Sequence, residues 1–596
     1  MSDVSERRTL ERLRRLRVGP LRGGGLLGVL GVIAGYLALS IPRMGDLYVI
    51  DEAVFPYVAE GILKNGAPFY YNGELRPADF GLWHPPLYDY LLAGFVGLFG
   101  FSPFSVRAFG LVCVLISIFV LFLVLRRIMP RAPQIAYVAL SALVLWSPQV
   151  VSGALIPDID GSFGFLVVAL GIWLAAVVKQ DTISPRLALL IVGFATLSVA
   201  TKFTITGFIA LIVGVAALLS QGQQWKKALT VVVGFVVGTA VALGLLVLGG
   251  VLIGYDARLP FDYVFVSVSS RTPGRGGLSG AIATLLDGPG STLVWVGPSI
   301  VLAALVAAVV LAVRRGKEAD SRFVVLLASA GVFIVLGYAV ISASPFQFPK
   351  YTPIVVPMFA LAATTLLSVV PKRSMAGFRT PRGRWVAAAS VGILIAGAAG
   401  MFGLLTHDER VDGRSLWDLT VLSAACLVAV AVVFAVALLL VRPVDDEGSI
   451  VNMRSLISSS VALALLVTPV MVQASAATVN ATAQYSTRYY YGERGMNSFV
   501  EDAEKIVPEG TPIIGPKDVG FQISRPFYED AILFSWTVDK FRSFVEDKRV
   551  PFIVTRKKHD YSEAIYPAYF AVIREFYKPV LDSPDIDFVL WEIKSN

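Results

Sequence analysis

Residues 108–125, AFGLVCVLISIFVLFLVL, form a run of 18 uncharged and mainly apolar residues that stops at Arg126 and Arg127. About 20 apolar residues in an α-helix cross the hydrocarbon core of a bilayer, which is roughly 30 Å thick. A backbone inside lipid must satisfy its own hydrogen bonds, so such a run is expected to be helical. The segment therefore predicts a transmembrane helix that ends at a pair of arginines.

Runs of the same kind recur from residue 24 to about residue 473. We count about thirteen, with centres near residues 33, 116, 141, 170, 195, 213, 240, 304, 333, 362, 395, 428 and 464. Of the 596 residues, 56% are hydrophobic and only 16% are charged, a balance that excludes an ordinary soluble enzyme of this length. The sequence predicts a polytopic α-helical membrane protein.

The basic residues of the loops give an orientation for these helices, because Lys and Arg near the ends of spans stay on the cytoplasmic side. They occur in the N-terminal stretch RRTLERLRRLR and then in alternate loops, at Arg126, Arg127 and Arg131, at Lys179 and Arg186, at Lys226 and Lys227, from Arg314 and from Pro371. With an odd number of spans, the N-terminus is predicted on the cytoplasmic side of the plasma membrane and the C-terminus on the outer side. A signal peptide also fits the basic N-terminus, but the lack of a small-residue cleavage site favours an uncleaved anchor. The net charge of +8 then reflects topology, so no nucleic acid partner is expected.

Residues 474–596 differ in character from the apolar part, residues 1–473. Strand candidates in this part are TPIIGP, AILFSW, PFIVTRK and DFVLWEIK, and they alternate with the helical patterns MNSFVEDAEKIV, VDKFRSFVEDKR and YSEAIYPAYFAVIREFY. This alternation predicts a small extracytoplasmic α/β domain. It has no glycine-rich phosphate loop, so no nucleotide cofactor is expected. The two cysteines, Cys113 and Cys426, lie in apolar segments and are predicted to be buried thiols.

The first predicted outer loop, residues 43–104, carries two adjacent acids, Asp51 and Glu52. Pro56 suits the start of a helix, so a short helix from about Pro56 to Lys64 is predicted to lie on the membrane surface. The acids precede this helix, where its dipole favours ionised carboxylates by about 0.3 to 1 kcal/mol. A charge this close to a bilayer is a functional candidate, although simple capping of the helix explains Glu52 equally well.

A series of short motifs runs from this acid pair to the start of the next span. Its residues are Asp51-Glu52, Tyr57, Ala59, Leu63, Gly66, His84-Pro85-Pro86-Leu87-Tyr88, Leu98-Phe99-Gly100, Ser102 and Arg107. The series resembles the first outer loop of GT-C glycosyltransferases, in particular the bacterial protein O-mannosyltransferase-like and aminoarabinose-transferase-like (lipid A) branch. Weaker matches follow in order, PDID from Pro157 and KYTPIVVP from Lys350. One departure is His84, where that branch often has lysine.

The resemblance implies a GT-C transmembrane catalytic domain that transfers a sugar from a polyprenyl-phosphate carrier to an acceptor hydroxyl, with inversion at the anomeric carbon. An acceptor hydroxyl is a weak nucleophile near neutral pH, so a carboxylate must take its proton as the bond forms. Asp51 is predicted to be this general base. Cleavage of the donor adds negative charge to its phosphate, which fixed cations or a metal ion must stabilise.

Further side chains complete the expected site. The predicted substrate-binding residues are Glu52, Tyr57, His84, Asp158, Asp160, Lys202, Arg271, Lys350 and Tyr351, and the predicted metal ligands are Glu52 and His84. Lys202 and Lys350 are the favoured cations, since a loop arginine such as Arg271 also fits a role in water. The two acids of PDID fit a divalent metal, the acceptor or simple solvation at a helix end. No ligand set has diagnostic spacing, so a divalent metal cofactor stays open.

Two other classes of protein fit the same layout. A transporter or lipid flippase also has many spans and acids near the membrane, but we find no repeat between two halves of the chain. A non-catalytic subunit with a GT-C-like body is the other alternative. For an enzyme, the expected partners are the lipid-phosphate sugar donor, membrane lipids and an acceptor that is a glycan, a lipid or a protein. The pattern specifies neither the sugar nor the acceptor, because several spans contribute to such a pocket.

Overall fold

In the computed structural model, most of the described chain is helical, and a small β-sheet lies in its last part. The described residues are 23–45, 54–68, 82–268, 297–314, 319–341, 353–370, 381–406, 416–441, 453–482, 496–516, 519, 522–523, 525–529, 536–557, 562–584 and 586–594.

The helices of the apolar part follow the apolar runs of the sequence. They are α1 (Gly24–Ser40), α2 (Val54–Asn65), α3 (Leu87–Phe99), α4 (Pro103–Ile128), α5 (Gln134–Leu145), α6 (Pro148–Leu155), α7 (Phe163–Gln180), α8 (Pro185–Thr201), α9 (Phe203–Leu218), α10 (Gln224–Ile253), α11 (Pro298–Arg314), α12 (Ser321–Ile341), α13 (Val356–Thr364), α14 (Pro381–Thr406), α15 (Leu416–Val441) and α16 (Met453–Thr482). A π-helical segment, Asp262–Val268, follows α10, and 3-10 turns flank α13.

Every predicted span centre lies within one of these helices. In the described ranges, seven helices are long and apolar enough to cross a membrane: α1, α4, α7, α10, α14, α15 and α16. A bent pair, α5 and α6, makes an eighth if it counts as one span. The shorter apolar helices are α3, α8, α9, α11, α12 and α13. The helices confirm a polytopic α-helical membrane protein, and the expected number of about thirteen spans stays a prediction.

The bend between α5 and α6 amounts to 60°. Its cause is local, because Pro148 opens α6 and has no backbone N–H with which to continue the preceding helix. At the bend, Trp146 Nε1 donates a hydrogen bond of 3.1 Å to the carbonyl of Val32 in α1. All residues of α6 are buried, as a broken helix at membrane depth requires. The bend brings the end of α6 close to α4.

Glycine makes this close approach feasible. A Cβ atom at Gly110 of α4 would lie 2.2 Å from the backbone oxygen of Ala154 in α6. We expect Gly110→Ala to lower the free energy of unfolding by about 1 to 3 kcal/mol, since backbone must move to admit the methyl group. Gly31→Ala in α1 is the matched control, because a Cβ there meets nothing within 4 Å. Thermal unfolding of both variants in detergent should separate them, and equal midpoints would contradict this packing.

The short helix of the first outer loop, α2, begins two residues before the predicted Pro56 and ends at Asn65, one residue beyond the predicted Lys64. One face of α2 is buried, with Val58 fully enclosed, and it packs on α3. Phe55 contacts the ring of Tyr88 edge-on, with centroids 5.2 Å apart. The helix therefore lies against protein on one side, which fixes it beside α3.

The C-terminal domain has a five-stranded sheet with strand order β2-β1-β3-β5-β4. Its elements are α17 (Met496–Ile506), β1 (Ile513–Gly515), β2 (Phe527–Glu529), α18 (Val538–Lys548), β3 (Phe552–Arg556), α19 (Pro567–Phe576), β4 (Tyr577–Asp582) and β5 (Phe588–Ile593). Strand β1 pairs in parallel with β2 and β3, whereas β5 pairs antiparallel with β3 and β4. This arrangement confirms the predicted α/β fold.

Three of the four predicted strands correspond to β1, β3 and β5, and most of the fourth, AILFSW, lies outside the described residues. Strands β2 and β4 were not predicted from the sequence. Strand β4 begins within the pattern predicted to be helical, because α19 ends at Phe576 and the chain continues directly as a strand. The predicted domain boundary after residue 473 falls inside α16, which continues to Thr482.

Candidate active site

The structure describes five of the predicted site residues. These are Tyr57, His84, Asp158, Asp160 and Lys202. The others, Asp51, Glu52, Arg271, Lys350 and Tyr351, lie outside the described residues. Of the five, Asp158, Asp160 and Lys202 come from two segments that meet at helix ends. Tyr57 lies on α2, where it contacts the ring of Phe101 at 5.7 Å, and His84 lies just before α3.

The PDID segment, residues 157–160, links the end of α6 to the start of α7. Asp158 and Asp160 are 3% and 1% exposed, so the alternative of simple solvation at a helix end is wrong. The turn is tight, since a Cβ at Gly161 would lie 2.3 Å from the carbonyl oxygen of Gly153. The Ser162 hydroxyl donates to the Asp158 carbonyl at 2.5 Å. Local hydrogen bonding and close backbone packing thus hold both carboxylates inside the protein.

Asp160 forms a buried ion pair with Lys202. The ammonium group lies 2.6 Å from Asp160 Oδ2, and Lys202 is only 7% exposed. The position of Lys202 follows from a break in helical structure, because its backbone is extended (φ −162°, ψ 126°) between α8 and α9. Removing one member of a buried ion pair is strongly unfavourable, so Asp160 and Lys202 are expected to stabilise each other. The pair joins the α6–α7 junction to the α8–α9 junction.

A third acidic side chain, Asp89, lies in the same region, although none of the sequence motifs predicted it as a site residue. Asp89 sits in the first turn of α3 and is 2% exposed. Its neighbour Tyr88 is enclosed by aromatic rings and its hydroxyl interacts with the Ser162 side chain. Burial, with Asp158 as a nearby like charge, raises the pKa of Asp89 well above the ordinary carboxyl range. A lone acid in the otherwise apolar helix LYDYLLAGFVGLF was the sequence signal for this residue.

This shift predicts a pH dependence of stability. The folded chain holds the Asp89 proton more tightly than the unfolded chain does, so protonated Asp89 stabilises the fold. This stabilisation is complete below the unfolded pKa of about 3.9 and is lost as pH rises through the folded pKa. We expect Asp89→Asn to remove this loss, so that the variant gains stability relative to the wild type as pH rises from about 4. Melting temperatures at a series of pH values measure it. Asp256→Asn, an exposed site, should keep the wild-type profile, and a parallel profile for Asp89→Asn would refute the assignment.

Arg107 connects the start of the first outer loop to this region. It is fully buried, and its Nε donates to the Leu155 carbonyl at 3.0 Å. Its Nη1 donates to the Met44 carbonyl at 3.1 Å. Both carbonyls stand at helix ends, where the backbone lacks intrahelical partners. A motif residue of the sequence analysis thus ties the segment that leads toward Asp51 to the segment that carries Asp158.

His84 lies against the segment that follows α10. Its ring meets that of Tyr263 edge-on at 5.6 Å, and nearby Leu82 packs with Leu246 and Tyr255. Within the described ranges, no three side chains of His, Cys, Asp or Glu are grouped closely enough to hold a metal ion. The predicted metal pair includes Glu52, which the structure does not describe, so that site stays a prediction.

Comparison with known proteins shows which family model and which solved structures this chain resembles. Residues 83–247 match the model of the dolichyl-phosphate-mannose-protein mannosyltransferase family, a stretch that includes Asp89, Arg107 and the Asp160–Lys202 pair. The chain is similar in structure to ArnT from Cupriavidus metallidurans bound to undecaprenyl phosphate, with a TM-score of 0.56 and 15% identity over 95% of this chain and 97% of that chain. ArnT from the same organism in the apo state gives a TM-score of 0.57 and 15% identity over 94% and 97%. No curated protein sequence matches this chain.

The chain has the GT-C fold. The motifs that indicated GT-C in the sequence occupied about residues 48–110, whereas the structural likeness extends over nearly the whole chain. The GT-C fold together with the apolar helices makes this chain an integral membrane protein. In this GT-C fold, the described carboxylates come from the first outer loop region and from the α6–α7 junction, and the lysine comes from the α8–α9 junction. Three separate parts of the chain therefore build the site.

Proposed function

We propose that this chain is an inverting glycosyltransferase that moves a sugar from a polyprenyl-phosphate donor to an acceptor hydroxyl at the outer face of the plasma membrane. The observation that carries the proposal is the buried group of Asp89, Asp158, Asp160 and Lys202 at helix ends within a GT-C fold. Buried ionisable groups are costly, and in membrane proteins they mark sites of chemistry or transport. The matched family uses dolichyl-phosphate-mannose, and the similar ArnT was crystallised with undecaprenyl phosphate. Both names point to a polyprenyl phosphate as the donor lipid.

Asp51 is the general base in this proposal. It follows Met44, which Arg107 holds, by seven residues, and it precedes α2 by three. The first turn of α2 packs on Tyr88, the neighbour of Asp89. Asp51 then takes the proton of the acceptor hydroxyl while the sugar C1–O bond to the phosphate breaks and the new glycosidic bond forms on the opposite face. The lipid phosphate leaves with the electron pair of the broken bond.

The departing phosphate needs cations, and we assign this role to Lys350 and Arg271. Lys202 is the less suitable cation because Asp160 lies 2.6 Å from its ammonium group and already balances its charge. We assign Lys202 instead as a positioning residue that holds the PDID segment. Asp158, Tyr57 and Tyr351 are then proposed to contact the sugar or the acceptor.

Glu52 and His84 would hold a divalent metal ion, which is the further element of the proposed site. Bound there, it would add positive charge beside the donor phosphate. Dialysis against a chelator, with activity measured before and after restoration of Mg²⁺ or Mn²⁺, tests this part separately. Unchanged activity without metal would mean that the cations of the protein alone stabilise the departing phosphate.

The orientation of the chain also belongs to the proposal. With the N-terminus in the cytoplasm, the buried acids and the C-terminal α/β domain lie on the outer side, where a sugar acceptor of the cell envelope is available. Cysteine labelling with a membrane-impermeant reagent, at single cysteines placed in the exposed Lys505 and Arg131 positions, reports on the two faces. Labelling from outside at position 131 would reverse the assignment.

Incubation of the purified chain with a panel of undecaprenyl-phosphate sugars tests the activity itself. An enzyme of this class releases free undecaprenyl phosphate when an acceptor extract is present, and mass spectrometry of the lipid fraction detects the release. A flippase moves the intact donor across a liposome bilayer without cleaving it, and a non-catalytic subunit does neither. Donor movement without cleavage over the whole panel would overturn the proposal.

A further inference from the structure

A cavity of about 370 Å³ opens at the far end of α7 from the candidate active site. Lys179 in the last turn of α7 lines this cavity, whereas Asp160 and Ser162 precede the first turn of α7. A helix of 18 residues is about 27 Å long. The cavity is therefore separated from the buried acids by nearly the thickness of a bilayer core, on the side predicted to face the cytoplasm.

Positive charge predominates in this cavity, which we call the basic pocket. Its charged lining residues are Arg127, Lys179, Arg322 and Asp320, three cations and one acid. Lys179 pairs with Asp320, and Arg127 pairs with the half-exposed Asp181 at 3.1 Å. Among the described residues, no carboxylate lies within ion-pair distance of Arg322. The basic pocket thus keeps an excess of positive charge after its internal pairs are counted.

The framework of the basic pocket is held by hydrogen bonds between different helices. Asp320 donates its backbone N–H to the Ile128 carbonyl at 2.8 Å, and Gln180 Nε2 donates to the Arg127 carbonyl at 3.0 Å. Lys227 donates to the Lys179 carbonyl at 3.2 Å. These contacts fix the ends of α4, α7, α10 and α12 relative to one another. The cations are consequently presented on a preorganised rim.

Apolar side chains form the rest of the wall. Ile128, Pro130, Leu219 and Ala319 line the basic pocket beside the polar groups of Gln221 and Ser321. A site for a wholly water-soluble anion has no need of such a wall. A phospholipid needs an apolar wall, because its phosphate is attached to a glycerol ester and, beyond that, to hydrocarbon chains. Basic pockets between spans on the cytoplasmic side are the recognised sites for anionic lipid head groups.

We propose that the basic pocket binds the phosphodiester head group of an anionic phospholipid from the adjacent leaflet. The phosphate lies between Arg322 and Arg127, whose partner Asp181 is half-exposed, so that water screens this pair. The head-group hydroxyls reach Gln221 and Ser321, and the start of the acyl chains packs on Leu219. The volume suits one head group, since small-molecule pockets begin at about 300 Å³. The bound lipid fastens α4 to α12 and stabilises the fold at the face remote from the buried acids.

Reconstitution of the full chain in nanodiscs tests this proposal. We expect a higher melting temperature in phosphatidylcholine mixed with phosphatidylglycerol than in phosphatidylcholine alone, and retention of phosphatidylglycerol in native mass spectrometry. Arg322→Gln changes an exposed side chain and should weaken phosphatidylglycerol retention about tenfold, the effect of one lost charge-assisted contact. Arg127→Gln with Arg322→Gln should abolish the thermal gain. An equal melting temperature of the variants and the wild type in phosphatidylcholine alone shows that the fold is intact.

The matched control is Arg131→Gln with Arg186→Gln, which removes the same charge from exposed positions outside the basic pocket on the same predicted face. It should keep both the thermal gain and the lipid retention. Equal losses in the control and pocket variants would reduce the effect to general surface charge and overturn the proposal. Inorganic phosphate and glycerol 3-phosphate, added to phosphatidylcholine nanodiscs, form the second arm. An equal gain with either soluble anion would identify a free phosphate ligand in place of the lipid.

Discussion

Asp51→Asn is expected to lower sugar transfer by about 10² to 10⁴-fold, the usual contribution of a general base. Asparagine keeps the size and shape of the side chain but cannot accept the acceptor proton. The loss should therefore appear in kcat, while binding of the lipid donor changes little. Single-turnover measurements with a radiolabelled donor, combined with a separate donor-binding assay, resolve the two quantities.

The control for this experiment is Asp256→Asn, which makes the same chemical change at an exposed position. Its activity and its melting temperature should equal those of the wild type. Transfer by Asp51→Asn within a fewfold of the wild type would remove Asp51 from the role of base. A parallel loss of donor binding and transfer would assign Asp51 to donor recognition, since a base acts only after the donor is bound.

The helical part of this fold was predictable because each signal is contained in one segment. The composition of a run such as residues 108–125 is enough to predict a helix in a bilayer. Every predicted centre falls in a helix of the structure. The 60° bend at Pro148 changed the path of one such run without changing its composition. Composition over a window of 20 residues therefore identifies apolar helices well and locates their breaks poorly.

The small sheet shows the opposite limit. Strand β2 has only three residues, too few for an alternating pattern to develop. Strand β4 follows α19 without an intervening loop and contains Pro579, which disfavours a strand assignment from sequence. Both strands are defined by their pairing with β1 and β5, and pairing partners are set by the tertiary fold.

The candidate site was predictable residue by residue but not as an arrangement. Asp158, Asp160 and Lys202 each attract attention as charges in apolar surroundings. The ion pair, however, joins residues 42 positions apart, and its existence depends on how the α6–α7 and α8–α9 junctions meet. Asp89 was not predicted because it directly follows the motif His84–Tyr88 and is not one of the residues that carried the resemblance. A charge in an apolar helix was the signal, and its burial against Asp158 required the structure.

The buried ion pair provides the second large effect. We expect Lys202→Met to lower the free energy of unfolding by about 3 to 5 kcal/mol, because it removes the ammonium group that lies 2.6 Å from the buried Asp160 carboxylate. Adding Asp160→Leu to Lys202→Met should restore most of that loss, since a buried pair replaced by apolar residues of similar size costs little stability. Thermal and denaturant unfolding of the purified variants in the same detergent measure both changes.

An exposed ion pair supplies the comparison for this cycle. Lys505 contacts Glu501 and Asp502 on the surface of α17, and Lys505→Met should leave the melting temperature unchanged, because water screens such pairs. Additive losses from Lys202→Met and Asp160→Leu would show that the two side chains do not depend on each other. The restored double variant also separates stability from chemistry. If the pair positions the PDID segment for transfer, the double variant regains its melting temperature and still transfers sugar slowly, whereas full activity would confine the pair to holding the fold.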